Sequence, residues 1–308
     1  MKKVYDTIII GGGPGGYTTA LYASRAGLST LVVEKMTVGG QLALTDTVEN
    51  YPGFDEGIDG FTLGMKMQAS AERFGAETMY AEVLSMDLEN TPRKLSTTEG
   101  ELYAHTVVIA TGAYPRLLGV GGEEKFLGRG VHICAHCDGR FYKDRTVLVV
   151  GGGNSALEDA LYLARLCERV ILVHRRDAFR AERVLVDALQ RQENVEVRYD
   201  SVLEEILGDE KMEGVRLRNV RDGETSVLAP DGVFISVGRE PATAFLPQEL
   251  ARDAHGYIVA DETTRTSVDG VYAVGDVRTK PLRQIVTAVA DGAVAVEYMK
   301  EYLTKNIF

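Results

Sequence analysis

Short apolar runs that read as strands alternate along this chain with longer segments of helical composition. Residues 3–10 form a β-rich run, residues 14–26 have helical composition, and residues 30–34, TLVVE, form a second β-rich run. The glycine-rich segment GGGPGG, residues 11–16, follows the first run directly. The order strand, helix, strand predicts a βαβ unit with these glycines in its first turn.

The same order returns in the second half of the chain. Residues 146–150, 154–166 and 170–174 repeat strand, helix and strand, and GGGNSA fills the turn. The similarity extends further, because TVVIATGAYP at residues 106–115 resembles GVFISVGREP at residues 232–241. Each half therefore ends on a strand followed by glycine and proline, as two related domains would.

The remaining C-terminal piece is too short for a third domain. It holds GVYAVGD at residues 270–276, a strand ending in Gly-Asp, and an Ala/Val-rich helix from about residue 283 to 303. We expect the chain to return to its first domain, so that residues 1–115 and 246–308 enclose an inserted domain of residues 116–245. The predicted fold class is α/β, with two Rossmann-like three-layer nucleotide-binding domains joined by two Gly/Pro-containing crossings that could act as a hinge.

Composition narrows the class of protein. A chain of 308 residues has room for two domains, and its net charge of −11 offers no broad basic surface for nucleic acid. No apolar run approaches the roughly 20 residues that a membrane span needs, and the short run after MKK reads as a strand rather than a signal peptide. Three cysteines do not make a secreted disulfide framework, so we expect a cytoplasmic protein.

The first glycine turn carries the features of a dinucleotide site. Gly11 permits the tight bend, Gly13 lets the backbone approach a pyrophosphate, and Gly16 lets the helix pack on the strand. Glu34 ends the next strand, 21 residues after Gly13, where a carboxylate accepts hydrogen bonds from the ribose hydroxyls of NAD or of the adenosine of FAD. The alternative is a glycine-rich turn without a ligand.

The second turn differs in charge. Gly151, Gly153 and Ala156 occupy the same three positions. The carboxylate is replaced at the same offset by a histidine that three arginines follow: His174, Arg175, Arg176 and Arg180. Guanidinium groups bind a 2′-phosphate bidentately, whereas a carboxylate would repel it. The second site is therefore predicted to bind NADP rather than NAD, the alternative being a solvated basic face.

Between the two turns lies CAHCD, residues 134–138. The spacing brings Cys134 and Cys137 within disulfide reach, and such pairs often have one depressed thiol pKa. Asp138 could move a proton as the disulfide opens. Zinc would need two further ligands, for which only two nearby histidines and the distant Cys167 are available, so no metal is predicted. A purely structural disulfide is the other alternative.

Further segments are compatible with a flavin. Gly275-Asp276 at a strand end could hold ribityl or phosphate oxygens, and the helix that begins near residues 283–285 could point its positive end at a flavin ring. Polar contacts without bulk are offered by Gly39-Gly40-Gln41 and Asn50. Each of these, taken singly, also fits ordinary loop chemistry.

Taken together, the motifs resemble those of the low-molecular-weight thioredoxin reductases nearly end to end. The resemblance rests on both glycine turns, GGQL at 39–42, VENYPG at 48–53, ATGA at 110–113, CAHCDG at 134–139, HRRD at 174–177, and GD at 275–276 with RQ at 283–284. It implies FAD in the discontinuous domain, NADPH in the inserted one, a homodimer, and thioredoxin as the partner. It also implies that the NADPH domain rotates between two arrangements.

The resemblance assigns roles to particular residues. Cys137 would face the flavin and form the charge-transfer thiolate, Cys134 would attack the thioredoxin disulfide, and Asp138 would be the acid-base group. The implied FAD residues are Gly11, Gly13, Pro14, Gly16, Glu34, Lys35, Gly40, Gln41, Asn50, Thr111, Gly112, Asp276, Arg283, Gln284 and Ile285. The implied NADPH residues are Gly151, Gly153, Asn154, Ser155, His174, Arg175, Arg176 and Arg180.

One position departs from the family pattern. His136 stands before the second cysteine, where the family usually has threonine or a similar small residue.

Three alternative functions remain open: a small-molecule dithiol oxidase, for which residues 174–176 would be unnecessary; the reductase of a peroxiredoxin system, which would carry an extra N-terminal dithiol domain; and a flavin-bound redox sensor.

Overall fold

The protein's structure is a computed structural model that describes residues 3–45 and 47–307. The strands are β1 (Val4–Ile10), β2 (Thr30–Glu34), β3 (Glu77–Tyr80), β4 (Val83–Asp87), β5 (Arg93–Thr97), β6 (Gly100–Ile109), β7 (Ala113–Pro115), β8 (Val131–His132), β9 (Thr146–Val150), β10 (Arg169–Val173), β11 (Val195–Arg198), β12 (Ser201–Gly208), β13 (Met212–Asn219), β14 (Thr225–Leu228), β15 (Gly232–Ile235), β16 (Arg239–Pro241) and β17 (Val271–Ala273). The helices are α1 (Pro14–Arg25), α2 (Gly60–Glu72), α3 (Ala135–Asp138), α4 (Asn154–Ala164), α5 (Arg183–Leu189) and α6 (Ile285–Asn306).

The chain divides into two compact units. The first comprises the chain up to Tyr114 and from Glu240 onward, and the second is Pro115–Arg239. The return crossing thus falls at 239/240, slightly before the expected residue 245, and the outermost expected bounds, residues 1 and 308, lie outside the described residues. The two crossings between the units fall in β7 and β16.

The first unit is built on a seven-stranded sheet of order β3-β2-β1-β6-β5-β4, with β17 also paired to β6. Side chains alternate between the faces of β1, as expected for a strand. Ile9 packs among residues of α1 and α6, whereas Ile8 and Ile10 pack on the opposite face with Leu246 and other residues of the C-terminal part.

Helices α1 and α6 approach each other closely because glycine faces glycine. A Cβ on Gly292 would lie 2.5 Å from the Gly15 carbonyl oxygen, and a Cβ on Gly15 would lie 3.2 Å from that of Ala288. The first helix after the glycine turn is therefore fixed against the last helix of the chain.

The second unit has three layers. Its parallel sheet runs β11-β10-β9-β15-β8, and a separate antiparallel sheet runs β12-β13-β14. Val147 and Val149 of β9 pack with α4 on one face, whereas Leu148 and Val150 pack with residues of the antiparallel sheet on the other. Both units thus have the parallel α/β core expected of nucleotide-binding domains.

Candidate active site

The first glycine turn is shaped by close backbone contacts and is open where a ligand would lie. Gly11 has a φ of +106°, and a Cβ on Gly16 would lie 2.0 Å from the Gly11 carbonyl oxygen. At Gly13 the nearest atom to an added Cβ is 3.9 Å away. Helix α1 begins with Pro14 and has neither a side-chain cap nor an acidic residue in its first turn. Its free backbone N–H groups therefore fit a pyrophosphate, as FAD would supply.

Glu34 is locked against this turn. Its carboxylate accepts hydrogen bonds from the backbone N–H of Gly12 at 2.6 Å and of Met36 at 2.8 Å, and the side chain is buried. A carboxylate held at this position has oxygen lone pairs left for ribose hydroxyls. The adjacent Lys35, which the resemblance also assigns to FAD, is exposed and pairs with Glu82 at 2.7 Å.

Distant segments of the first unit meet beside the turn. The Gly39 N–H donates to the Gly12 carbonyl at 2.8 Å, which brings the 3₁₀ turn Gly40–Leu44, with Gly40 and Gln41, next to the glycines. The Asn50 amide donates to the side-chain oxygen of Gln284 at 3.0 Å. Gln284 in turn caps α6, whose first residue is Ile285.

The C-terminal part of the site is held by a buried charge cluster that the sequence did not predict. Asp291 lies in α6 and accepts hydrogen bonds from Arg278 at 2.8 and 3.0 Å, from Lys280 at 2.7 Å, and from the N–H of Gly275 at 2.8 Å. Burial alone would raise the pKa of Asp291, but the hydrogen bonds from Arg278 and Lys280 lower it. The cluster fixes the turn that carries Asp276.

The other predicted FAD residues lie in ordinary contacts of the first unit. Arg283 donates to the Asp276 carbonyl at 3.3 Å and lies 4.0 Å above the Tyr257 ring. Thr111 donates to the Ala242 carbonyl at 2.9 Å, and Gly112 has a φ of +71°.

The second glycine turn repeats the design of the first. A Cβ on Gly151 would lie 2.4 Å from the Ser236 carbonyl oxygen, whereas one on Gly153 would meet nothing within 4 Å. Helix α4 starts after Gly153 without a side-chain cap, and Ser155 is exposed in its first turn. The Asn154 amide is held by Glu182, to which it donates at 2.9 Å. This turn, too, presents free N–H groups to a phosphate.

The His174 ring packs directly against Gly152 of the second glycine turn. A Cβ on Gly152 would lie 2.0 Å from the His174 ring, so only glycine fits beneath it. The ring donates from Nε2 to the Ala178 carbonyl at 3.0 Å. Burial, together with the neighbouring arginines, lowers the pKa of His174, which favours the neutral ring.

The three arginines that follow His174 differ from the nearby Arg221 in their ion pairing. Arg221 is held by Asp177 at 3.3 Å and by Asp200 at 2.7 Å. Within the described chain, by contrast, no carboxylate forms an ion pair with the exposed side chains of Arg175, Arg176 and Arg180. Unpaired guanidinium groups beside a phosphate-binding turn fit a 2′-phosphate.

The cysteine pair lies in the second unit and is oxidised. Cys134 and Cys137 form a disulfide with their Cα atoms 5.3 Å apart. Cys134 stands at the start of α3, and its Sγ accepts the backbone N–H of Cys137 at 3.2 Å. This hydrogen bond would stabilise a thiolate on Cys134. Asp138 ends α3, one residue beyond Cys137.

Cys167 is separate from this pair. It is buried, and burial raises the pKa of its thiol to about 11. Within residues 3–45 and 47–307, no group of His, Cys, Asp and Glu side chains could hold a metal ion. Over the same residues, no helix is both long and apolar enough to cross a membrane.

Comparison with known proteins places this arrangement in a class. The sequence profile of the pyridine nucleotide-disulphide oxidoreductases matches residues 5–292. A thioredoxin reductase of Listeria monocytogenes is 48% identical over 305 residues, covering 98% of this chain and 95% of the relative. One of Treponema pallidum is 42% identical over 303 residues, covering 98% of each. The crystal structure of thioredoxin reductase from Streptococcus pyogenes superimposes with a TM-score of 0.94 at 44% identity, covering 99% of this chain and all of the other.

The chain therefore belongs to the pyridine nucleotide-disulphide oxidoreductases and, within them, to the thioredoxin reductase family. The predicted resemblance and the α/β fold class are confirmed. So are an oxidoreductase activity and the cofactors FAD and NADPH.

Proposed function

We propose that this protein passes electrons from NADPH to the disulfide of a thioredoxin through FAD and the Cys134–Cys137 pair. One observation carries the proposal. The second unit holds both the Cys134–Cys137 disulfide and an open glycine turn, and the first unit holds another open glycine turn. When bound, FAD supplies the ability to accept a hydride and pass an electron pair to sulfur.

The residues assigned by the resemblance remain our proposal for the two nucleotide sites. The free N–H groups of α1, with Gly11, Gly13 and Gly16, would hold the FAD pyrophosphate, and Glu34 the adenosine ribose. The corresponding groups of α4 would hold NADPH, with Arg175 and Arg176 on its 2′-phosphate. Homodimer formation, cytoplasmic location and domain rotation also remain predictions.

The cysteines carry out the exchange. The Cys134 thiolate attacks one sulfur of the thioredoxin disulfide, and the other thioredoxin sulfur leaves with the electron pair. Cys137 then attacks the Cys134 sulfur, so that the Cys134–Cys137 bond re-forms and the second thioredoxin sulfur is released. Asp138, adjacent to Cys137, takes the Cys137 proton and returns it to the departing thiolate.

Anaerobic stopped-flow mixing tests the whole route. We expect NADPH to bleach the flavin absorbance rapidly and a thioredoxin to restore it. Bleaching by NADH alone, or recovery only with oxygen, would contradict the proposal and favour a dithiol oxidase. The comparisons do not favour that alternative or the peroxiredoxin system.

The double variant Arg175→Ala/Arg176→Ala is expected to raise KM for NADPH at least tenfold, with little effect on KM for NADH. Each charge-assisted hydrogen bond to the 2′-phosphate contributes about 1.5–3 kcal/mol, and NADH lacks that group. Steady-state kinetics with both coenzymes measure the difference. Arg183→Ala/Arg191→Ala removes the same charge from exposed positions of the same unit and serves as the control. Equal effects on both coenzymes would defeat the assignment.

His136→Thr is expected to change turnover by less than about twofold and to leave the pH–rate profile in place. The half-exposed ring stacks on Tyr162 at 4.3 Å, and its Nδ1 lies 3.8 Å from Asp159, so its contacts are with α4. The pH dependence of thioredoxin reduction checks this. A displaced profile would mean that the imidazole acts on the cysteine pair.

A further inference from the structure

A row of three polar side chains, of which the middle one is buried, begins beside the cysteine pair. His132, at the end of β8, has its Nδ1 3.1 Å from Oδ2 of Asp138 and its Nε2 2.7 Å from the hydroxyl of Tyr142. The imidazole is buried, stacks on Phe234 at 5.3 Å and meets the Tyr142 ring edge-on at 5.2 Å. All three groups of this Asp138–His132–Tyr142 row belong to the second unit.

The chemistry of the carboxylate decides which nitrogen of His132 carries a hydrogen toward Asp138. A carboxylate only accepts, so Nδ1 of His132 must carry the hydrogen. On the other side of the ring, Nε2 shares a hydrogen bond with the Tyr142 hydroxyl at 2.7 Å. Burial raises the pKa of Tyr142 to about 12, which keeps that hydroxyl protonated. Tyr142 thus holds the side of the His132 ring opposite to the one that contacts Asp138.

Other charged groups lie near the row. Arg145 and Asp231 also act electrostatically on Tyr142, whereas Asp159 of α4 accepts a hydrogen bond from Ser236 and lies 3.8 Å from Nδ1 of His136. The His132 imidazole contacts the Asp138 carboxylate, with Nδ1 3.1 Å from Oδ2. The orientation of that carboxylate therefore depends on the imidazole.

We propose that His132 is a positioning residue for Asp138 in the exchange between the cysteine pair and thioredoxin, an inference that rests on the proposed function. By binding Oδ2, the imidazole leaves Oδ1 to exchange the proton with sulfur. As Cys137 attacks Cys134 in the mixed disulfide, the new S–S bond forms and the bond to thioredoxin breaks. The Cys137 proton passes to Asp138 and then to the departing thioredoxin thiolate, so Asp138 ends as it began. His132 keeps the carboxylate in place during both transfers.

Three variants test the proposal in the FAD-loaded protein. His132→Phe fills the aromatic site without the N–H and is expected to lower kcat for thioredoxin reduction about tenfold, with KM values unchanged, because a positioned acid-base group contributes 10²–10⁴-fold. His132→Asn places an amide N–H near Nδ1 and should recover most of the loss. Tyr142→Phe should lower kcat about threefold, a small part of the acid-base contribution. His136→Thr, four residues along the chain, is the matched control.

Two readouts separate the roles. In all variants NADPH should bleach the flavin at the wild-type rate, whereas the solvent deuterium isotope effect on recovery with thioredoxin should rise in His132→Phe, because proton transfer becomes limiting. Wild-type turnover in His132→Phe, or equal losses in the phenylalanine and asparagine variants, would overturn the positioning role. Failure of the wild-type protein to bleach with NADPH would instead contradict the proposed function.

Discussion

Cys137→Ser is expected to lower thioredoxin reduction by more than about a thousandfold, because the chemistry of a nucleophilic pair is lost as a unit. The remaining Cys134 cannot re-form the disulfide that the cycle requires. The glycine turns are built from other residues, so bleaching of the flavin by NADPH should persist. Thioredoxin-dependent oxidation of NADPH and anaerobic bleaching, measured side by side, check both halves of this expectation.

The two cysteines are distinguished by trapping. Cys137→Ser keeps the residue-137 N–H that Cys134 Sγ accepts at 3.2 Å, so its lone thiolate should form a lasting mixed disulfide with oxidised thioredoxin. Cys134→Ser should form none. Cys167→Ala is the matched control, because that thiol is buried apart from the pair and its pKa is raised to about 11. Substantial turnover in Cys137→Ser, or its loss in Cys167→Ala, would contradict the assignment.

The sequence predicted the elements whose signals are local. Apolar runs and glycines located β1, α1 and β2, and again β9, α4 and β10, within a few residues of their observed bounds. The antiparallel sheet β12-β13-β14 was not predicted. Cross-strand ion pairs such as Arg218 with Glu204 at 3.1 Å place charges along these strands, which interrupts their apolar pattern.

The two glycine turns were predicted from the sequence, but the side-chain contacts of Asp291 and His132 were not. Glycine spacing is a local property, whereas the partners of Asp291 and of His132 are set by which loops the fold brings together. One signal was available for Asp291. The segment IVTAVADGAVAV, residues 285–296, is apolar around a single aspartate, and a buried carboxylate requires cationic or N–H partners. No such signal paired His132 with Tyr142.

Asp291→Ala is the stability change with the largest expected effect in the first unit. It would leave Arg278 and Lys280, whose side chains are each only 4% exposed, without the carboxylate that pairs with both. Removing one partner of a buried ion pair costs about 3–5 kcal/mol. The N–H of Gly275 would also lose its acceptor, so the turn that carries Asp276 should loosen. We expect a fall of this size in the free energy of unfolding and weaker retention of FAD.

The same cluster predicts how stability depends on pH. Because the hydrogen bonds from Arg278 and Lys280 hold the pKa of Asp291 below its ordinary value of 3.8, the folded state binds a proton less readily than the unfolded state. The contribution of Asp291 is therefore complete above about pH 4 and is lost as the pH falls through the lower folded value. Asp291→Ala should show a correspondingly smaller loss of stability on acidification.

Denaturant unfolding, followed by fluorescence with and without added FAD, measures both effects. Asp55→Ala removes an exposed carboxylate from the same unit and should change stability by less than about 0.5 kcal/mol. Asp291→Asn keeps an acceptor for the Gly275 N–H but not the charge, so it should fall between the wild type and the alanine variant. If Asp291→Ala matched Asp55→Ala, the cluster would not stabilise the fold. If it lost stability but retained FAD as the wild type does, the Gly275 turn would not depend on Asp291 for its shape.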